Sequence, residues 1–251
     1  CAYRLFVNGQ LLCEKGQVGS TRETYRPETI PEICLMESPG PELHVVLHAT
    51  NFDYAKGGIW HPVIFGDAKT VLERSMLSGG LQLALLTTLG VFGMLHLVLF
   101  SVYRRGRIFL YLGLSCMVLM IRESVVGEKF LLHLVSLPWG VYIRMEYFGL
   151  IFAVPFFAFY FKSLYGEAYS SLYPKILLGV AAVYSLFILV FPPRVFTGTV
   201  QFYQANLVGL MGYSLYITIK RIISGSREAR YILAAGSVMI PDRLSATTKS
   251  L

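Results

Sequence analysis

GGLQLALLTTLGVFGMLHLVLFSVYRRGR, residues 79–107, decides how the chain is read. From residue 79 to residue 103 there is no Asp, Glu, Lys or Arg, and Leu, Val, Phe, Gly and Thr dominate. These 25 residues suffice to cross a hydrocarbon layer of about 30 Å at about 1.5 Å per residue, with some tilt. The run stops at Arg104-Arg105-Gly106-Arg107, a basic end that a helix in a soluble core does not need. Everything before it reads as a water-exposed β module, and everything after it as more membrane. The expectation is a polytopic membrane protein with an extramembrane head.

The totals agree. A chain of 251 residues with 55 % hydrophobic and 15 % charged residues, and a mean hydropathy of +0.57, has too little charge to cover a soluble surface. The net charge of +7 is no argument for a nucleic-acid partner. Its basic residues after Tyr103 sit mostly in short loops between apolar runs, where they set topology. Of four cysteines, Cys1, Cys13 and Cys34 lie in the head and Cys116 in an apolar run. A Cys13–Cys34 disulfide is allowed if the head is outside the cell, but the spacing alone proves nothing and isolated buried thiols are the expected state. No Cys/His metal spacing is present, and no cofactor or metal is expected. The chain has no initiating Met and no signal peptide, so it reads as part of a longer precursor. A mature lipoprotein also begins at Cys but would follow it with a polar linker.

Within residues 1–75, Tyr3-Arg4-Leu5-Phe6-Val7 and Gln10-Leu11-Leu12 flank Asn8-Gly9, a hairpin signal, because a type I′ turn needs positive φ at both central residues. Gly and Pro punctuate residues 16–41 and leave room only for short strands. Residues 42–51 alternate, with Leu43, Val45, Leu47 and Ala49 on one face and His44 and His48 on the other. A solvated strand face explains the two histidines without a metal. Asn51-Phe52-Asp53-Tyr54-Ala55-Lys56-Gly57-Gly58-Ile59-Trp60 reads as a loop between strands. Phe52, Asp53, Tyr54 and Trp60 offer stacking faces and directional hydrogen bonds to a sugar or other small molecule, although any hairpin loop can carry such residues.

Further spans are expected at residues 108–126, 139–161 (kinked at Pro155), 176–191 and 198–223, the last carrying Gly209 and Gly212 for close packing. A sixth, 231–240, meets Pro241-Asp242-Arg243 after ten residues, too short to cross. Residues 241–251 read as a polar tail: either the chain is truncated there, or these residues are not the native continuation. Arg104, Arg105, Arg107, Lys162, Lys175, Lys220, Arg221, Arg227 and Arg230 fall on one side, against Lys129, Arg194 and the interfacial Arg122 and Arg144 on the other. The positive-inside bias puts the first group in the cytoplasm and the head outside.

Charges inside spans are the default place to look for function. Arg122-Glu123 and Arg144 with Glu146 fall at similar depth beneath the head. Arg122 could pair with Glu146, or Arg144 with Glu123, across adjacent helices and so feel the movement of the head. Snorkelling to the interface is the simpler alternative. A lone His96 and Asn206 are expected to make interhelical hydrogen bonds.

The stretches "LFVNGQLL", "LHATNFDYAKGGIWHPVIFG" and "GMLHLVLFSVYRRGRIFLYLGL" together resemble the bacterial seven-transmembrane receptors with diverse intracellular signalling modules, over residues 3 to about 240. The resemblance implies a jelly-roll-like all-β sensor domain, represented here by its rear part (1–75). It also implies a membrane α-helical bundle (79–240) in the bacterial inner membrane and a cytoplasmic output such as a diguanylate cyclase, kinase or phosphatase. Front strands, a seventh span and the output are not in the sequence. Implied partners are the lipid bilayer, a small-molecule or carbohydrate ligand, and a cytoplasmic signalling module, with homodimerisation open.

Three function classes compete. A receptor needs a ligand to prefer one of two states of the bundle. A transporter, the alternative, calls for charged or broken helices at the midplane in repeated halves, and no repeat is visible. An intramembrane enzyme needs a catalytic or di-metal set within spans, but Asp is absent between Asp67 and Asp242 and His96 stands alone. The receptor is the expected class, and no enzyme activity is expected.

Overall fold

The computed structural model describes residues 1–28, 30–37, 40, 42–55, 57, 63–104 and 106–224. Strands β1 (Ala2–Val7), β2 (Gln10–Lys15) and β3 (Val45–Thr50) form one antiparallel sheet in the order β2-β1-β3. The β1–β2 turn is the expected one: Asn8 and Gly9 have φ of 51° and 81°. Asn8 also directs the return of the chain. Its Oδ1 accepts the His44 N–H at 2.9 Å and its own N–H donates to the His44 carbonyl at 2.9 Å, setting β3 beside β1. Cys13 and Cys34 are joined in a disulfide, so the reading as isolated thiols gives way to a tie between β2 and residues 30–37. The sheet's register could not reveal this, because the loop between the two cysteines has no periodicity. The expected apolar face of β3 is not buried: Val45 is 52 % exposed and Leu47 36 %.

The helical part comprises α1 (Ala68–Val102), α2 (Arg107–Val125), α3 (Phe130–Leu134), α4 (Trp139–Tyr165), α5 (Tyr173–Val190) and α6 (Pro193–Ile223). The protein is thus a multi-pass helical membrane protein with a β region at its N-terminal end. Among the described residues, α1, α2, α4 with its 3-10 extension, and α5 are long and apolar enough to cross a membrane. The expected span at 198–223 lies in α6, whose 31 residues are diluted by Thr197, Thr199, Gln201, Gln204 and Asn206. Residues 231–240 lie outside the described residues.

Helix α1 starts well before the apolar run. Asp67 caps it, its side chain accepting the Thr70 N–H at 3.3 Å, so the link between head and membrane is itself helical. At 35 residues α1 is about 50 Å long, more than the hydrocarbon layer needs, and its first turns carry Lys69, Glu73 and Arg74. Gln82 of α1 closes the far end of α2: its amide donates to the carbonyls of Glu123 (2.8 Å) and Val126 (2.6 Å), and its Oε1 accepts the Glu128 N–H. Those carbonyls would otherwise be orphans of the helix end.

Helix α2 packs between α1 and α4, and α4 packs against α2, α5 and α6, so α4 is the hub. The tight crossings are not at Gly209 and Gly212; a Cβ at Gly212 would meet nothing. They are at Gly93 and Gly113, where α1 and α2 cross with a Cβ position 3.1 Å from the Gly93 carbonyl, and at Gly149, which lies directly against Arg122. His96 and Asn206 also differ from expectation. Each bonds a carbonyl of its own helix, Phe92 (2.7 Å) and Tyr203 (3.1 Å), because a carbonyl one turn back keeps a second lone pair within reach of the side chain. The core is the α4 face from Tyr142 to Ala158 against Leu177, Ala181 and Ile188 of α5 and Phe196, Tyr203 and Leu210 of α6. At the end far from the head, Tyr165 and Tyr169 hydroxyls meet Thr218 (2.6 Å) and Ser214 (3.4 Å).

Candidate functional site: the joint between head and bundle

Residues 51–55 fold on themselves before they touch the helices. Asn51 closes the turn at both ends, its Oδ1 accepting the Tyr54 N–H and its amide donating to the Tyr54 carbonyl, each at 3.0 Å. This side-chain turn throws Tyr54 outward. Its hydroxyl lies 2.8 Å from that of Tyr147 on α4, and the next residue, Ala55, donates its N–H to Thr197 Oγ1 on α6 at 3.1 Å. One short loop of the head therefore holds two helices of the bundle.

The other loop residues face the head. Phe52 meets the Tyr25 ring edge-on at 5.5 Å, and Asp53 accepts from Arg22 at 3.1 Å. The Tyr25 hydroxyl is buried beside the Phe52 backbone without reaching hydrogen-bond geometry with any described residue. Burial, and secondarily the Asp53 carboxylate, push its pKa up. The Tyr54 hydroxyl is also raised by burial, with the bond to Tyr147 acting in the opposite direction. Trp60, grouped with these residues by sequence, lies outside the described residues. Thus Phe52, Asp53 and Tyr54 are brought together, but their polar atoms are spent on Arg22, Tyr147 and the turn.

Beneath the loop, Tyr147 packs edge-on to Phe196 at 5.2 Å, and the Arg144 guanidinium sits over the same ring at 5.7 Å. Arg144 donates to the carbonyls of Gly140 (2.8 Å), Ile188 (3.2 Å) and Phe191 (3.4 Å). It satisfies the last carbonyls of α5, where a cation also complements the helix dipole. The expected Arg144–Glu123 pair is not formed: Glu123 pairs with its neighbour Arg122 on the same helix. Glu146 is half-buried, with Arg122, Lys129 and Glu123 as its electrostatic neighbours. Lys129, in a left-handed conformation ahead of α3, lies 5.3 Å from the Tyr142 ring centre. Burial pulls its pKa down to about 8, partly opposed by Glu146. The Trp139 indole N–H is buried with no partner among the described residues.

Tyr25, Arg22, Tyr147 and Thr197 were not legible as site residues. A Tyr on a helix face or a Thr near a helix start is common, and nothing in the spacing marks their partner in the head. Cys13, Glu32 and Cys34 also cluster, but the two sulfurs are bonded to each other and present no thiolate to a metal.

Compared with known proteins, residues 79–241 match the family model described as 7TM diverse intracellular signalling. No curated protein and no solved structure matches the chain. The match covers every helix from the apolar part of α1 onward, and so the chain belongs to the 7TM diverse intracellular signalling family.

Proposed function

We propose that this chain is the sensing and membrane part of a bacterial signalling receptor, with the β head on the extracytoplasmic side of the inner membrane. The single observation that carries the proposal is the grip of residues 54 and 55 on Tyr147 and Thr197. The head is joined to the bundle covalently through α1 and by hydrogen bonds to α4 and α6. A change in head shape therefore moves α1 relative to α4 and α6, and only such a difference between two states lets a ligand drive output. The head belongs to a jelly-roll-like sandwich, and a cytoplasmic module receives the signal.

The ligand is a carbohydrate or another small polar molecule bound by the loop that carries Phe52, Asp53, Tyr54 and Trp60. The Tyr25 hydroxyl and Trp139 N–H, buried without a hydrogen-bond partner among the described residues, support this placement, since buried donors without partners are rare unless a ligand or water meets them. Arg122, Glu123, Arg144 and Glu146 form the intramembrane layer on which the loop acts.

The test uses the chain in lipid nanodiscs, titrated with mono- and oligosaccharides. Saturable thermal stabilisation, with a changed distance between spin labels on the head and at the far end of α6, is expected. Stabilisation without a distance change defeats the relay. Accumulation of the same sugar inside proteoliposomes favours a transporter. Orientation is read separately: a reporter fused after Arg107 that works only outside the cytoplasm overturns it.

A further inference from the structure

Helix α4 carries Pro155 in its interior, fully buried in the bundle. Proline has no N–H, so the carbonyl four residues earlier, that of Ile151, loses its helical partner. In an apolar core such a carbonyl must find another donor. It finds one on a different helix: the Tyr203 hydroxyl of α6 donates to the Ile151 carbonyl at 2.7 Å, with both residues buried. The Tyr203 ring is held in place by stacking on Tyr184 of α5 at 5.1 Å, and the Tyr184 hydroxyl is itself bonded to Thr199 at 2.8 Å.

We propose that Tyr203 is the pin of a hinge at Pro155, holding the two halves of α4 at one angle and releasing them when its hydroxyl leaves the Ile151 carbonyl. Proline is where helices bend sharply, because one rung of the ladder is absent and the ring crowds the preceding turn. Here the absent rung is replaced by a side chain that can rotate or move with α6, so the bend is set by the α4–α6 relationship. The position suits a relay. Tyr147, which the head loop grips, lies eight residues before Pro155 on α4, and Thr197, the other gripped residue, lies six before Tyr203 on α6. A pull at the head-proximal ends of both helices therefore acts on the two sides of the pin. That the bend carries a signal rests on the receptor reading; the hinge itself is tested without any ligand.

The experiment places spin labels at Ser163 of α4 and Leu215 of α6, both exposed and beyond the hinge, in the full chain in nanodiscs. Cys1 and Cys116 are replaced by Ser and the Cys13–Cys34 disulfide is kept. With an arm of about 12 Å from Pro155 to Ser163, a bend of about 20° moves the label by about 4 Å. Tyr203→Phe is expected to shift or broaden the distance distribution on that scale. Adding Pro155→Ala, which returns an N–H to Ile151, is expected to restore the narrow distribution although the hydroxyl is still absent. An unchanged distribution in Y203F overturns the hinge. So does a broadening that Pro155→Ala fails to reverse, since that marks lost packing. Should Y203F not fold, the double variant must fold; failure of both also overturns it.

Discussion

The Tyr54 hydroxyl of the head and the Tyr147 hydroxyl of α4 lie 2.8 Å apart, although 93 positions separate them in the chain. A hydrogen bond between two such groups contributes about 0.5–1.5 kcal/mol net. Tyr54→Phe and Tyr147→Phe should therefore each destabilise the head–bundle joint, while the double change should cost less than their sum. Thermal unfolding of the four species in nanodiscs gives the coupling, expected at about 1 kcal/mol. Strict additivity would show that the hydroxyls do not interact.

Arg144 is expected to act on α5 rather than on Glu123. Its guanidinium reaches three carbonyls, two of them, Ile188 and Phe191, at the end of α5. Arg144→Met should cost about 1.5–3 kcal/mol, the range for hydrogen bonds from a charged donor. The exchanged pair Arg144→Glu with Glu123→Arg should not recover that loss. Recovery in the doubly exchanged protein would restore the cross-helix ion pair as the correct account.

Gly149 is a packing determinant of the α2–α4 crossing, because any Cβ there collides with Arg122. Gly149→Ala should destabilise by about 1–3 kcal/mol, the usual cost of overpacking, despite the better helix propensity of Ala. By contrast Gly212→Ala, at a position with nothing within reach of a Cβ, should be neutral or slightly stabilising. Equal effects at the two sites would contradict the packing.

Lys129 supplies a pH dependence. With its folded pKa pulled down to about 8 from 10.5, the unfolded chain binds the extra proton between those values, so stability rises with pH across that window. Below about pH 8 both states are charged and the burial cost is fully present. The gain should be on the order of 2 kcal/mol, given about 1.4 kcal/mol per pKa unit and partial hydration of the amine. Unfolding followed from pH 8 to pH 10 should show the rise in the parent and a flatter profile in Lys129→Gln. Identical slopes would remove the assignment.

The Cys13–Cys34 bridge closes a loop across 21 residues, for which the chain-entropy relation gives about 3 kcal/mol. Cys13→Ser with Cys34→Ser should loosen residues 30–37 and the edge of β2, read as faster amide exchange there. The helices, which the bridge does not touch, should keep their exchange rates. Uniform acceleration across the bundle would mean that the head stabilises the whole chain.

The elements that rest on local composition were legible in order along the chain. The charge-free run before Arg104, the Asn8-Gly9 hairpin, the proline within α4 and the loop around Asn51 follow from hydrophobicity, φ preference and turn chemistry. These act over a few residues and need no partner. Start signals were less visible where they fell among charges: Asp67 begins α1 eleven residues ahead of residue 78, inside a stretch that lacks apolar periodicity.

What tertiary structure decided was every pairing across elements. Tyr203 for the carbonyl that Pro155 abandons, Gln82 for the end of α2, Tyr147 and Thr197 for the head loop, and Cys13 for Cys34 all join residues at least 15 positions apart. The pairings between helices depend on how two helices are rotated and staggered, and one residue of shift turns a helical side chain by about 100°; those of the head depend on where its loops are carried by the sheet. A linear pattern can say that a span exists and that its buried polar groups need partners. Which partner answers depends on the packing of α4, α5 and α6 around one another.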